Sequence, residues 1–335
     1  MIRTAPAGPD TGPAADSATG QEPGPVRPER ARPGGTAAGG TLARQRRRLF
    51  VPFVGPALLL YTVVFVAPIG GAVWISLHNW AGSGPMTWAG LRNYTRLLHD
   101  DLFMESLGNT LKLLFLVGIA VFAISFALTL ILRDMAGRKV VRSIIFFPHL
   151  VNALVYGVLV GFIFNPDGLA NSLLAHLGIH SPPQWLSQDN MFPLIMVTMT
   201  WMTTGYFTTI LMAGVDRIPV SYYEDCALAG AGALQRLRYV VLPLTWDVFG
   251  VCAVLWTISS VKIFEIVWIF GGSSGNGIPP TKTWTSAVYT YATAFSGDSV
   301  PSYGAATASA ILSLLLVTVL VVLLRRLMRR EAVEF

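Results

Sequence analysis

The stretch TLKLLFLVGIAVFAISFALTLIL, residues 110–132, carries one charge, Lys112, in an otherwise apolar run. As a helix rising 1.5 Å per residue it reaches about 34 Å, enough to cross a hydrocarbon core of about 30 Å. A buried helix of a water-soluble domain rarely sustains so long a run, and the pattern recurs. Comparable stretches begin at Leu49 (to Leu77), Ser143 (to Phe164), Phe192 (to Val215), Val240 (to Phe270) and Ala305 (to Leu324). The expected fold is therefore all-α, a polytopic membrane bundle of six transmembrane helices. Pro68, Pro148 and Pro243 lie inside these runs; membrane helices tolerate proline when neighbours re-satisfy the freed backbone groups.

The composition agrees. Of the 335 residues 53% are hydrophobic and 13% charged, against about 25% charged in ordinary soluble domains. The mean hydropathy is +0.55. The net charge of +6 comes from basic residues flanking apolar runs, so it points to membrane lipid and not to nucleic acid. Residues 1–48 are rich in Pro, Gly and Ala without apolar periodicity, and are expected to form a disordered cytoplasmic tail ahead of a membrane domain at 49–335. The two cysteines, Cys226 and Cys252, make neither a disulfide framework nor a metal site.

Basic residues orient the bundle. Arg44, Arg46, Arg47 and Arg48 precede the first run; Arg133, Arg138, Lys139 and Arg142 lie between the second and third. Arg217, Arg236 and Arg238 lie between the fourth and fifth, and Arg325, Arg326, Arg329 and Arg330 follow the last. The opposite loops are poor in Lys and Arg: residues 165–191 have none, and 271–304 have only Lys282. Arg92 and Arg96 are the exception. The positive-inside rule then puts both termini in the cytoplasm. Trp74, Trp80, Trp185 and Trp284 suit the outer interface, and Lys112 is expected to snorkel toward it.

The cytoplasmic loop at 216–243 reads DRIPVSYYEDCALAGAGALQRLRYVVLP. Pro219 bars helix just before it. Ser221 and Glu224 have the spacing of a capping box, and Gly230 and Gly232 permit a turn between two helices. A short helix with small residues and one fixed acid is a shape that fits a groove in another protein.

This loop resembles the EAA loop of ABC importer permeases. Glu224 matches the acid, Gly230 the glycine, Ala231 the alanine after it, and Leu242-Pro243 the exit; Asp225 and Cys226 stand where the family has two alanines. The segment Gly90-Leu91-Arg92-Asn93-Tyr94, then Phe103 and Asn109-Thr110, resembles the carbohydrate-uptake branch, the maltose and glycerol-phosphate type. So do Arg142–Pro148 and Val261–Trp268 with Gly271-Gly272. The resemblance implies that Glu224, Ala227, Gly230 and Ala231 couple to an ATPase. It also implies partners: a second permease subunit in a heterodimer, an ABC ATPase dimer, and an extracytoplasmic solute-binding protein, expected to be a lipoprotein. The implied function is ATP-driven passage of a sugar or related polyol to the cytoplasm by alternating access.

No Walker A sequence is present, so ATP hydrolysis belongs on a partner chain. The chain is expected to be no enzyme, with no catalytic residue, cofactor or metal. Gly271–Gly275 fits G-x-S-x-G by letter but follows an apolar span instead of a strand. His176 and His180 lack the glutamate of a zinc helix. A self-sufficient secondary transporter is the alternative, disfavoured by the absence of an inverted repeat. Intramembrane charges mark functional positions by default. Lys262, Glu265 and Trp268, read as one helix, fall within about 120° of arc and suit a polyol, or else form a structural pair. Asn152 is expected to line the path or bridge helices. Asp247 is expected to face water or a partner.

Overall fold

The computed structural model describes residues 52–133, 135–179, 181–272, 277–295 and 301–328. The expected tail at 1–48 lies outside them. Contacts divide the chain into Met1–Tyr61 and Thr62–Phe335. The described part of the first unit, residues 52–61, is helical and exposes Leu58, Leu59 and Leu60.

Among the described residues four uninterrupted helices are long and apolar enough to cross a membrane: α1 (Pro52–Ser76), α3 (Asp101–Arg133), α7 (Met191–Val215) and α13 (Tyr303–Met328). Two further spans are broken. The helix α4 (Arg138–Leu150) meets α5 (Ala153–Ile163) at 91°, and α9 (Leu234–Leu244) meets α10 (Trp246–Val261) at 70°; counting each pair as one span makes six. Between these lie α2 (Arg92–Leu97), α6 (Leu169–His176), α8 (Val220–Leu228), α11 (Glu265–Gly272) and α12 (Ser286–Phe295). A short hairpin pairs β1 (His78–Asn79) with β2 (Thr87–Trp88).

The third and fifth runs are thus not straight helices, and each break has a chemical cause. Pro148 sits inside α4, and Val151 and Asn152 follow it in extended conformation. The Asn152 side chain accepts the Leu154 N–H at 2.9 Å, and the Tyr156 hydroxyl donates to the Pro148 carbonyl at 2.7 Å. The break therefore leaves these groups satisfied, as an apolar medium demands. In the fifth run Pro243 precedes the bend at Thr245, whose hydroxyl donates to the Val241 carbonyl at 2.7 Å. A second interruption follows α10: the Lys262 N–H turns back to the Ser259 carbonyl at 3.1 Å, and the Thr285 hydroxyl satisfies the Ile263 carbonyl at 2.7 Å.

Packing between spans relies on small and hydroxyl-bearing residues, since apolar side chains gain little by leaving lipid. Ser125 of α3 donates to the Thr204 carbonyl of α7 at 2.9 Å. A π-turn at Leu113–Val117 within α3 presents the Leu114 carbonyl to the Trp256 indole N–H of α10 at 2.8 Å. Gly205 of α7 lies so close to α4 that a Cβ there would overlap the Ile145 carbonyl.

The outer segments explain why their asparagines are there. The buried Asn93 amide donates to the carbonyls of Ser76 and His78 at 2.8 and 2.9 Å, fastening α2 to the end of α1. Asn109 does the same for the carbonyls of Lys282 and Trp284 at 2.8 and 3.1 Å. Lys282 pairs with Asp189 at 2.8 Å, and this hydrogen bond and charge hold its ammonium above the usual lysine range. Lys112 bonds to Asn109 Oδ1 at 3.1 Å, more than two turns inside the helix that begins at Asp101. The cysteines are free, with Cys252 buried.

Candidate functional site

Two regions gather the residues singled out by the sequence. The first is the loop after α7. Its short helix α8 starts at Val220, with Pro219 extended as the N-cap and no side-chain cap bond. The expected capping box between Ser221 and Glu224 is therefore not formed. Proline fixes the helix start two residues early, so Ser221 lies within the first turn and no longer occupies the cap. The exit of α8 matches the expectation: Gly230 has φ +68°. The Gly230 N–H bonds to the Ala227 carbonyl at 3.1 Å and the Ala231 N–H to the Cys226 carbonyl at 2.9 Å, a Schellman closure. Gly232 contributes differently, its N–H donating to Gln235 Oε1 at 2.9 Å.

The loop is anchored on one side and bare on the other. Tyr223 is buried, with the Arg133 guanidinium 3.3 Å from its ring centroid. Val215, Ile218, Tyr223 and Val241 form a small apolar cluster of their own, and Arg138 pairs with Asp216 at 3.1 Å. Glu224, Ala227 and Gly230 are exposed and Ala231 is partly so. Beside them Leu228 and Leu234 are 89% and 76% exposed. The sequence reading missed Tyr223; its contact, from α8, with an arginine at the end of α3 depends on tertiary approach.

The second region lies where the breaks meet. A cavity of about 260 Å³ is lined by Ala153, Met199, Thr203, Ser259, Lys262 and Glu265, among others. Lys262, Glu265 and Trp268 do not share one helix. Lys262 ends α10 and Glu265 begins α11, so the single arc drawn from the sequence does not exist. Lys262 and Glu265 nevertheless line the same cavity, both exposed, and no ion pair joins them among those described. Trp268 stacks on Phe264 with centroids 5.5 Å apart and meets Tyr291 edge-on at 4.8 Å. Asn152 caps α5, directly before the cavity-lining Ala153. Asp247 is exposed near the start of α10.

One feature near this cavity escaped the sequence reading. His149 stacks on Tyr206 at 4.3 Å and 25°, and Tyr206 lies one turn along α7 from Met202 and Thr203. An ionisable residue after an intramembrane proline was signal enough to flag His149.

The matches to known proteins are extensive. The model of the family described as "Binding-protein-dependent transport system inner membrane component" matches residues 119–333. The trehalose/maltose transport system permease protein MalF of Thermococcus litoralis is 32% identical over 268 residues, covering 78% of this chain and 87% of that protein. The probable ABC transporter permease protein YurN of Bacillus subtilis is 30% identical over 269 residues, covering 78% and 89%. The fold is similar to that of a bacterial alginate ABC transporter solved in complex with alginate pentasaccharide-bound periplasmic protein: TM-score 0.72, 20% identity, 87% of this chain and 98% of that one. A chain of apolar broken spans whose polar residues meet at the breaks, matched by this family over most of its length, belongs to the inner-membrane components of binding-protein-dependent transport systems, the non-enzymatic permease subunits of ABC importers.

Proposed function

We propose that this subunit passes a sugar or related polyol from an extracytoplasmic solute-binding protein into the cytoplasm, in a heterodimer with a second permease chain driven by an ABC ATPase dimer. Six spans cross the membrane with both termini cytoplasmic, residues 1–48 form a tail, and 49–335 form the transport domain with its coupling loop at 216–243. The carrying observation is the cavity at the breaks of α4–α5 and α10–α11, bordered by Lys262 and Glu265. Transporter sites form at interrupted helices, where freed polar groups meet substrate. Lys262 donates to and Glu265 accepts from sugar hydroxyls, Trp268 with Phe264 supplies the ring wall, and Asn152 holds the neighbouring break open. The trehalose/maltose permease relative supports an oligosaccharide as substrate.

The test is uptake of labelled maltose and trehalose by proteoliposomes holding the whole importer and its binding protein. Lys262→Ala and Glu265→Ala are each expected to lower uptake about tenfold, as loss of a charged hydrogen bond of roughly 1.5–3 kcal/mol implies. ATP hydrolysis should persist. Unchanged uptake in these variants and in Trp268→Ala would remove the site.

Orientation is tested separately. In a background with Cys226→Ser and Cys252→Ala, single cysteines at Ser181 and Gly137 should label oppositely with an impermeant thiol reagent in intact cells. Labelling at 137 and not at 181 would invert the bundle.

A further inference from the structure

The arginines at 92 and 96 break the charge pattern that orients every other loop, and the structure gives them a setting. The buried Asn93 ties α2 to the carbonyls of Ser76 and His78, at the end of α1. The helix α13 packs on α2, a Cβ at Gly304 in its first turn would lie 3.0 Å from the Asn93 amide, and the Tyr303 N–H bonds to the Trp80 carbonyl at 2.9 Å. The helix α2 therefore sits where two apolar spans reach the same membrane face. Trp74 and Trp88, 59% and 65% exposed, stand 6.3 Å apart there, with His78 5.0 Å from Trp88. Exposed indoles at the end of a span mark the headgroup level.

The surface of α2 has three faces. Asn93 and Leu97 are buried. Leu91 and Leu98, seven apart and so on one stripe, are 67% and 54% exposed. Arg92, Arg96 and His99, spaced four and three, form the neighbouring stripe and are also exposed. They line a shallow depression of about 570 Å³ together with Thr95 and Asp100. Asp100 makes no ion pair with either arginine among the described residues: it accepts the Phe103 N–H at 3.0 Å and the Tyr289 hydroxyl at 2.9 Å. Neither arginine has an ion pair among the described residues. Glu105, on the next helix, acts on Lys282.

We propose that α2 lies in the outer bilayer interface and that Arg92 and Arg96 hold the phosphate of an anionic phospholipid while Trp88, Leu91 and Leu98 enter the acyl boundary. The outer placement rests on the orientation proposed above. Two guanidinium groups one turn apart bracket a single phosphodiester, and arginine stems lie comfortably along apolar surface. The two arginines thus act as a lipid clamp and not as an error of topology.

The test uses the full importer in nanodiscs containing spin-labelled phosphatidylglycerol or spin-labelled phosphatidylcholine. The wild type should immobilise phosphatidylglycerol preferentially, and Arg92→Gln with Arg96→Gln should weaken that preference by about fivefold per arginine at low salt. A nitroxide at position 91 should be more accessible to oxygen than to a water-soluble nickel chelate. Unchanged lipid selectivity in the double variant, or an aqueous accessibility pattern at 91, would overturn the proposal. Retained selectivity with loss of binding-protein-stimulated ATP hydrolysis would also overturn it and assign the stripe to a protein contact. Thiol labelling at 181 and 137 reports the orientation independently. With that reversed, lost selectivity in the double variant would still support the headgroup contact, moved to the inner leaflet.

Discussion

Gly230→Val is expected to abolish uptake while leaving the subunit in the membrane. Gly230 has φ +68° and closes α8 through the bonds from its own N–H and that of Ala231. A β-branched residue resists that conformation, at a cost of about 1–2 kcal/mol. This is too little to unfold a bundle of spans, and nothing within 4 Å would clash with the added Cβ. The strain is instead relieved locally, by re-aiming the segment that leads into α9. If the exposed face around Glu224, Ala227 and Gly230 docks on the ATPase, re-aiming it separates ATP hydrolysis from transport. Gly230→Asn tolerates the left-handed region and should retain most uptake. Glu224→Gln then isolates the charge, because no cap bond forms at the start of α8. It should assemble normally and fail to link binding-protein-stimulated hydrolysis to uptake. The measurement is the ratio of uptake to ATP hydrolysed in proteoliposomes. A wild-type ratio in Gly230→Val would show that the loop's shape does not couple; the same ratio in Glu224→Gln alone would leave shape and remove charge.

Gly205→Ala should destabilise the subunit, an effect opposite in sign to that of Gly108→Ala. At Gly205 the added Cβ would fall on the Ile145 carbonyl, which is backbone and cannot rotate away. The helices α4 and α7 must part, loosening the Arg142 bond to the Thr209 carbonyl at 3.3 Å. Overpacking of this kind costs about 1–3 kcal/mol. At Gly108, also helical, a Cβ meets nothing within 4 Å, so alanine gains roughly 0.4–1 kcal/mol by stiffening the unfolded chain. Thermal inactivation of the two purified variants in one detergent reads the difference. Equal inactivation temperatures would show that α4 and α7 are not held as close as described.

The sequence alone determined the class of this protein, because the physics behind it is local. Long runs such as Thr110–Leu132 have to be helical in lipid, since no water is available to satisfy an open backbone. The turn at Gly230 was equally legible, a property of one residue and its neighbours. So was the absence of a nucleotide-binding motif, which assigned the energy source to another chain. What tertiary structure decided lies where two segments meet. Pro148 and Pro243 announced a tolerated irregularity, but not the size of the bends, 91° and 70°. The arc drawn through Lys262, Glu265 and Trp268 failed because Thr285, distant in sequence, satisfies the Ile263 carbonyl and so stabilises a break that periodicity cannot see. Ser221 and Glu224 had the letters of a capping box, yet the helix begins at Val220 because Pro219 sets its entry. Asn93 and Asn109 were visible as motif letters; only the fold showed each fastening two carbonyls of one other segment. Periodicity records which way a side chain faces along its own helix, and it holds no record of which backbone groups a distant residue will complete.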